Sequence, residues 1–158
     1  MIAAIGQDSH RFDNENTQKK LILAGVEFVG ETPLLGNSDA DVVLHAITNA
    51  ISGISGVNIL GKISDDLCLK EGISDSSIYL KEALKYFTHH QLTHVSISIE
   101  CQKPKITPMI SKMKENLAQL LNLSVSQIGI TATSGEGLTA FGRGEGIQAF
   151  VIISAMPL

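Results

Sequence analysis

Apolar and polar positions along the chain fall into short strand-like and helix-like runs. Ile2-Ala3-Ala4-Ile5 opens an apolar run that predicts a first strand to about Ser9. Residues 13 to 20, Asp-Asn-Glu-Asn-Thr-Gln-Lys-Lys, are polar without period and read as a loop. Leu21 to Phe28 predicts two short strand pieces bent near Ala24-Gly25. Pro33 and Gly36 mark the segment from Gly30 to Asn37 as a further loop. Beyond it, Val43, Ile47, Ala50, Ile51 and Ile54 recur at helical spacing, so a helix starts at a Ser38 or Asp39 cap and stops around Gly53 to Gly56.

Residues 57 to 73 carry no clear period, and Gly61-Lys62 with Asp65-Asp66 read as a surface loop. A second helix is expected from Asp75 to about His90, capped by Ser74, with Leu80, Ala83, Leu84 and Phe87 inward. Val95, Ile97 and Ile99 alternate with Ser96, Ser98 and Glu100, which is strand chemistry. Thr107-Pro108 starts a third helix with Ile110, Met113, Leu117, Leu120 and Leu121 as its apolar stripe. Strands follow at Ile128 to Thr133 and at Ile147 to Ala155. The last is apolar almost throughout, so it is either buried on both faces or set against another subunit. The order β-α-α-β-α-β-β predicts an α/β (α+β) fold: a mixed sheet with helices on one side, in one domain spanning residues 1–158.

Composition narrows the function classes. Hydrophobic residues make up 44% and charged residues 18% of 158, as in a globular domain with a real core. The net charge of -4 provides no basic field for nucleic acid, so an anionic ligand would need local devices. No apolar run is long enough for a membrane span and no signal-like N-terminus is present, which reads as cytoplasmic with no membrane partner. Cys68 and Cys101 lack paired spacing and fit free thiols in a reducing compartment.

Candidate chemistry sits in four places. Asp8 and His10, two apart on a strand, point the same way, and His45 lies on the predicted helix. Two imidazoles and a carboxylate would make a three-ligand zinc site with one open position. Asp41 lies one turn before His45 on the same helix face. Thr133-Ser134-Gly135-Glu136-Gly137 follows a strand and suits phosphate oxygens, with Glu136 able to hold a hard cation. Lys105, between Pro104 and Pro108 in a loop, is a candidate phosphate contact, and Arg143 and Glu145 alternate with glycines in Gly142 to Gly146. His89, His90 and His94 cluster at a turn without a carboxylate at ligand spacing and are read as solvated. On these residues alone, a zinc-dependent phosphoester hydrolase is a consistent reading.

Taken together, the segments resemble the 2-C-methyl-D-erythritol 2,4-cyclodiphosphate synthase family. The resemblance rests on Asp8-Ser9-His10-Arg11-Phe12, Ser38-Asp39-Ala40-Asp41-Val42 with His45-Ala46, Gly61-Lys62, Pro104-Lys105, and Gly142-Arg143-Gly144-Glu145-Gly146-Ile147, in order and register over essentially the whole chain. It implies an enzyme of the non-mevalonate isoprenoid pathway, a lyase that releases CMP and closes the cyclic diphosphate. It also implies homotrimers with active sites between neighbouring subunits.

By that resemblance Asp8, His10 and His45 hold zinc, and Glu136 holds Mg2+ or Mn2+ through the diphosphate. Asp41 is expected to support the ligand helix rather than bind metal. Asn37 and Ser134 fall at catalytic positions, the first where the family has histidine and the second where it has threonine. Ser9 and Ser38 join them in contacting substrate, as do Ile59, Leu60, Gly61, Ser64, Asp65, Asp66, Leu67 and Cys68 in the following loop. Cys101, Gln102, Lys103, Pro104, Lys105, Ile106 and Thr107 form the cytidine pocket with Thr133, Gly135, Ala140 and Arg143 nearby. Arg143 and Glu145 line the end of the trimer channel. The chain departs from the family at Asn37, at Ile59 (an acid in relatives) and at Ser64-Asp65 (a Phe-Pro pair in relatives). Those departures keep a second reading open: a non-catalytic or weakly active trimeric relative that binds an isoprenoid diphosphate or another phosphate ligand.

Overall fold

Alternation along the last strand decides where the two faces of the sheet go. Ile147, Ala149, Val151, Ile153 and Ala155 are buried, while Phe150, Ile152 and Met156 at the alternate positions are exposed. The strand is therefore not buried on both faces within the chain; one side is covered and the other is open.

The computed structural model describes all 158 residues. Its strands are β1 (Ile2–Arg11), β2 (Leu21–Leu23), β3 (Val26–Phe28), β4 (His90–Glu100), β5 (Ile128–Thr133) and β6 (Gly146–Pro157). Its α-helices are α1 (Val42–Ser55), α2 (Lys62–Glu71), α3 (Ser76–Leu84) and α4 (Ile110–Leu121). Four strands form one mixed sheet in the order β1-β6-β4-β5, with β4 and β5 parallel and the other pairs antiparallel. β2 and β3 form a separate hairpin. α1 lies on β1 and β6 with α3 behind it, and α4 covers β5. One hydrophobic cluster of 35 buried residues fills the space between sheet and helices. The mixed sheet with helices on one side is as the pattern predicts.

Several boundaries differ from the expectation, each for a local reason. The cap of α1 is Asp41, not Ser38 or Asp39: its side chain accepts from the N–H groups of Val43 at 3.1 Å and Leu44 at 3.0 Å. The same carboxylate accepts from Ala24 at 2.9 Å and Gly25 at 2.7 Å, tying the β2–β3 turn to the helix start. Burial, with Asp39 nearby, pushes the Asp41 carboxyl up to about 7, against the pull of these N–H groups. Residues 57 to 73 are not a surface loop. Ile59 is fully buried, and α2 begins at Lys62 after Gly61, whose φ of 111° suits glycine alone. Gly61 N–H donates to Ser64 Oγ at 3.0 Å, which takes the place of a side-chain cap. α3 is capped by Asp75 rather than Ser74, and it ends at Leu84 rather than His90. Phe87 nonetheless packs into the core from the turn that follows.

Strand direction collects the chemistry at one end of the sheet. Ser9, Gln148, Glu100 and Thr133 form a single row across β1, β6, β4 and β5. The C-terminal ends of β1, β4 and β5 and the start of β6 therefore share that end, with β1 on one edge and β5 on the other.

Candidate active site

Gly6 sets how closely α1 approaches β1. A Cβ at Gly6 would lie 1.9 Å from the Ala46 carbonyl oxygen, so only glycine lets the helix backbone rest on the strand. Asp8 and His10 follow on the same side of β1, and the neighbouring His45 on α1 meets them there. His45 is only 8% exposed, which buries one wall of the cluster.

The three side chains converge on one point. Asp8 Oδ2 lies 3.1 Å from His10 Nε2 and 3.0 Å from His45 Nδ1. One ligand atom from each residue lies within 4.8 Å of the other two. The outer ring nitrogens are already engaged: His10 Nδ1 meets the Leu35 carbonyl at 2.7 Å and His45 Nε2 meets Ser76 Oγ at 2.8 Å. A carbonyl can only accept, so His10 carries a proton on Nδ1, and Nε2 faces Asp8 either as a lone pair or, when protonated, as a donor. Where an imidazole lone pair faces a carboxylate oxygen, the two repel unless a proton or a metal cation stands between them. Two imidazoles and a carboxylate, oriented from behind by hydrogen bonds, are a donor set that fits a divalent transition metal.

The titration behaviour reports the same field. Burial alone would lift the Asp8 carboxyl, but hydrogen bonds and charge from His10 and His45 hold it below its ordinary 3.8. Burial alone would lower His10, yet Asp8 and the Leu35 carbonyl raise it above its ordinary 6.5.

The cluster opens into a cavity of about 540 Å³. Of the residues expected to contact substrate, Asn37, Ser38, Leu60, Gly61, Ser64, Asp65 and Cys68 line it beside Asp8, His10 and His45. Ser9 opens instead on a neighbouring cleft, and three residues around the Gly61 turn also stay off the wall. Ile59 is fully buried in the core, Leu67 packs against that core, and Asp66 turns outward to ion pairs with Lys62 and Lys70. The side chains of these three therefore stand off the cavity wall in the single chain. The loop bearing Asn37 is held from below. The Lys19 ammonium donates to the Leu34 and Gly36 carbonyls at 2.6 and 3.1 Å, and the Cys68 thiol donates to the Asn37 carbonyl at 3.1 Å.

Sequence reasoning missed Asn49, Tyr79 and Ser76 here. Asn49 and Tyr79 line the cavity, and Ser76 is the buried partner of His45. Asn49 sits one turn beyond His45, a spacing that could have flagged it. The positions of Ser76 and Tyr79 follow only from the packing of α3 on α1.

A second cavity of about 370 Å³ lies at the opposite sheet edge. Cys101, Gln102, Pro104, Lys105, Ile106 and Thr107 line it with Thr133 and Ser134, whereas Lys103 faces a smaller cleft beside Pro104 and Gly144. The Cys101 thiol is pushed up to about 11 by burial and by Glu100, which makes it unreactive. Lys105 is exposed and forms no ion pair within the chain, so its charge faces solvent or ligand. Gly135, Glu136 and Gly137 adopt φ of 77°, 53° and 71°, a run of left-handed residues that leaves the Glu136 side chain exposed. Ala140 lines a separate cleft with Ser9, Arg11 and Glu145. Glu145 pairs loosely with Arg11 at 3.6 Å and Arg143 at 3.5 Å. His89, His90 and His94 stay exposed or half-buried and take no part in either cavity.

A strand-end carboxylate–imidazole cluster on a mixed sheet, paired with a phosphate-suited turn at the far edge, marks a metal-site enzyme fold for anionic substrates. The chain matches the YgbB family over residues 1–156 and belongs to it. It is 50% identical over 153 residues to the 2-C-methyl-D-erythritol 2,4-cyclodiphosphate synthase of Chlamydia felis, covering 96% of this chain and 87% of that protein. Among solved structures, it superimposes on the bifunctional IspDF from Campylobacter jejuni with a TM-score of 0.88 at 29% identity. That match covers 99% of this chain and 42% of the longer bifunctional protein. It also superimposes on Plasmodium falciparum IspF in complex with CDP, with a TM-score of 0.81 and 28% identity, covering 98% of this chain and 95% of that one.

Proposed function

We propose that the chain is a 2-C-methyl-D-erythritol 2,4-cyclodiphosphate synthase, a phosphorus–oxygen lyase of isoprenoid synthesis. It converts 4-diphosphocytidyl-2-C-methyl-D-erythritol 2-phosphate to the cyclic diphosphate and CMP. The observation that carries the reading is the convergence of Asp8, His10 and His45 at the wall of a cavity that also holds Asn37 and Ser38. Half identity to a curated synthase over nearly the whole chain supports the same substrate.

The substrate's 2-phosphate oxygen attacks the β-phosphorus, the bond from that phosphorus to the bridging oxygen breaks, and CMP departs with the electron pair. Little covalent work falls to the protein, so alignment and charge stabilisation carry the rate. Asp8, His10 and His45 would hold Zn2+, and Glu136 would hold Mg2+ or Mn2+ together with the diphosphate oxygens. When bound, the two cations supply charge neutralisation at the reacting phosphates. Asn37 offers an amide donor to the attacking phosphate from the cavity wall. The 101–107 loop and Thr133-Ser134 accept the cytidine end, with Lys105 toward phosphate.

We further assign the chain to a homotrimer in which residues 1–158 act as one domain. Two features support this assembly. The metal cluster and the Thr133–Glu136 turn stand on opposite edges of a four-stranded sheet, about 14 Å apart at ordinary strand spacing. The sheet face away from the helices exposes Ile5, Phe150 and Ile152 in adjacent strands. Arg143 and Glu145 would then lie at the channel end. No helix is long and apolar enough to cross a membrane, and two free cysteines suit the cytoplasm.

The test is purified protein with zinc, magnesium and the diphosphocytidyl substrate, followed for CMP and cyclic product. Both should appear together, and Asn37→Ala should lower kcat by about 10- to 1000-fold, the scale of one lost transition-state donor. Absence of CMP despite stoichiometric zinc would instead assign the chain to phosphate binding without turnover. CMP with a linear product would assign it to hydrolysis.

A further inference from the structure

His45 has two ring nitrogens, and only one tautomer is useful to a metal. Nδ1 faces Asp8 at 3.0 Å inside the cluster, and Nε2 faces Ser76 Oγ at 2.8 Å behind it. If the proton sat on Nδ1, it would donate to Asp8 and occupy the position a metal needs. The ring is nearly buried, so water cannot freely settle the choice. What lies behind Nε2 must settle it.

Ser76 is fully buried at the first turn of α3 and makes a second contact, from Oγ to Asp39 Oδ1. A hydroxyl has one proton, and a carboxylate can only accept. Once Ser76 gives its proton to Asp39, its oxygen can serve His45 only as an acceptor. Asp39 is itself fixed in that role. It accepts from Ser76 N–H at 3.0 Å and Asp41 N–H at 3.1 Å, while its own N–H donates to the Ser74 carbonyl at 2.9 Å. The donors therefore run in one direction, from His45 to Ser76 to Asp39.

We propose that Ser76 and Asp39 are positioning residues of the metal centre, a hydroxyl–carboxylate relay that fixes the His45 proton on Nε2 and leaves the Nδ1 lone pair free to bind metal. The inference rests on the metal reading above and deepens it. The Leu35 carbonyl does for His10 what Ser76 does for His45. The difference is that a carbonyl is an acceptor by nature, whereas a serine becomes one only because Asp39 takes its proton. The relay also joins α1 to the start of α3, which packs against it.

Two measurements on the full-length protein test this. In zinc-free protein labelled with 15N-histidine, at a pH where the rings are neutral, long-range 1H–15N spectra report which nitrogen of His45 is protonated. The wild type should carry the proton on Nε2, and Ser76→Ala should shift it toward Nδ1. Zinc affinity, measured by competition with a chromophoric chelator, should fall by about 10- to 100-fold in Ser76→Ala, the usual scale for losing an outer partner of a metal-binding histidine. A purely structural serine would lower the thermal midpoint of the zinc-free variant without moving the tautomer. A wild-type proton on Nδ1, or unchanged zinc affinity in a folded Ser76→Ala, would overturn the relay. Should Ser76→Ala fail to fold, the wild-type spectrum alone still decides. Wild-type protein that takes up no zinc would overturn the metal reading separately, because the tautomer is read without metal.

Discussion

At the scale of single residues, His10 is where a proton and a metal compete for one lone pair. Its Nδ1 is committed to the Leu35 carbonyl, so both contenders must use Nε2 against Asp8. In zinc-free protein the proton wins more readily than in a free imidazole, since Asp8 raises His10 above 6.5 despite burial. The sign of the consequence follows. A raised histidine stabilises the fold below its unfolded value of 6.5, and that contribution is lost as pH rises through the higher folded value. Asp8, held below 3.8, contributes above 3.8 and loses its contribution as pH falls through its lower folded value. The pair should therefore stabilise zinc-free protein most between about 3.8 and 6.5. A thermal-midpoint series against pH should show that plateau flattened in His10→Ala. Zinc affinity should behave oppositely, rising with pH and levelling only once His10 has lost its proton above 6.5.

At the scale of elements, the metal site depends on the spacing of a helix from a strand. Gly6 has no side chain, and α1 uses that space so fully that Gly6→Ala would press a methyl group into the Ala46 carbonyl. The helix must lift, and His45 moves with it. The variant should lose about 3 kcal/mol of stability, at the upper end of overpacking costs. Its zinc affinity should fall as well, measured by chelator competition beside thermal denaturation. The strands and helices bearing this geometry were legible because Ile2–Ile5 is a short apolar run, while Val95–Ile99 and the Val43–Ile54 stripe keep clean periods of 2 and 3.6. Asp8 and His10 were legible for the same reason, since a period of 2 puts both on one face. α2 was not. Its ten residues bury only Ser64, its apolar positions are few, and it starts at a glycine with no side-chain cap. Ile59 belongs to the same miss: a surface loop was expected where relatives carry an acid, and the chain instead plants an aliphatic plug in the core ahead of α2. The cap at Asp41 was misplaced because three polar candidates, Ser38, Asp39 and Asp41, crowd before the helix, and the β2–β3 turn that Asp41 also binds distinguishes it. Ser76 was illegible in principle, as its partner lies 31 residues away.

At the scale of the whole molecule, one chain carries two cavities on opposite edges of its sheet. The metal cluster belongs to the β1 edge, and the Lys105 and Ser134 cavity belongs to the β5 edge. A cyclic assembly with head-to-tail contacts would bring the β5 edge of one subunit to the β1 edge of the next. The exposed apolar face of the sheet, with Ile5, Phe150 and Ile152, is the surface available to hold it. Complementation tests this directly. In the proposed trimer His45 holds metal and Lys105 contacts phosphate, so His45→Ala or Lys105→Ala alone should be nearly inactive. Unfolding the two together in equal amounts and refolding them yields mixed trimers. A site is then intact wherever a Lys105→Ala subunit supplies the metal half and a His45→Ala neighbour supplies the nucleotide half. Random assembly gives that arrangement at about one site in four, so CMP release should recover to about a quarter of the wild-type rate. A site contained in one subunit would recover nothing, because every chain in the mixture carries one defect. Ile152→Arg places charge on the open face, and sedimentation should show it as a monomer with its metal cluster intact. In that variant zinc affinity should persist while turnover disappears, which separates loss of assembly from loss of the metal centre.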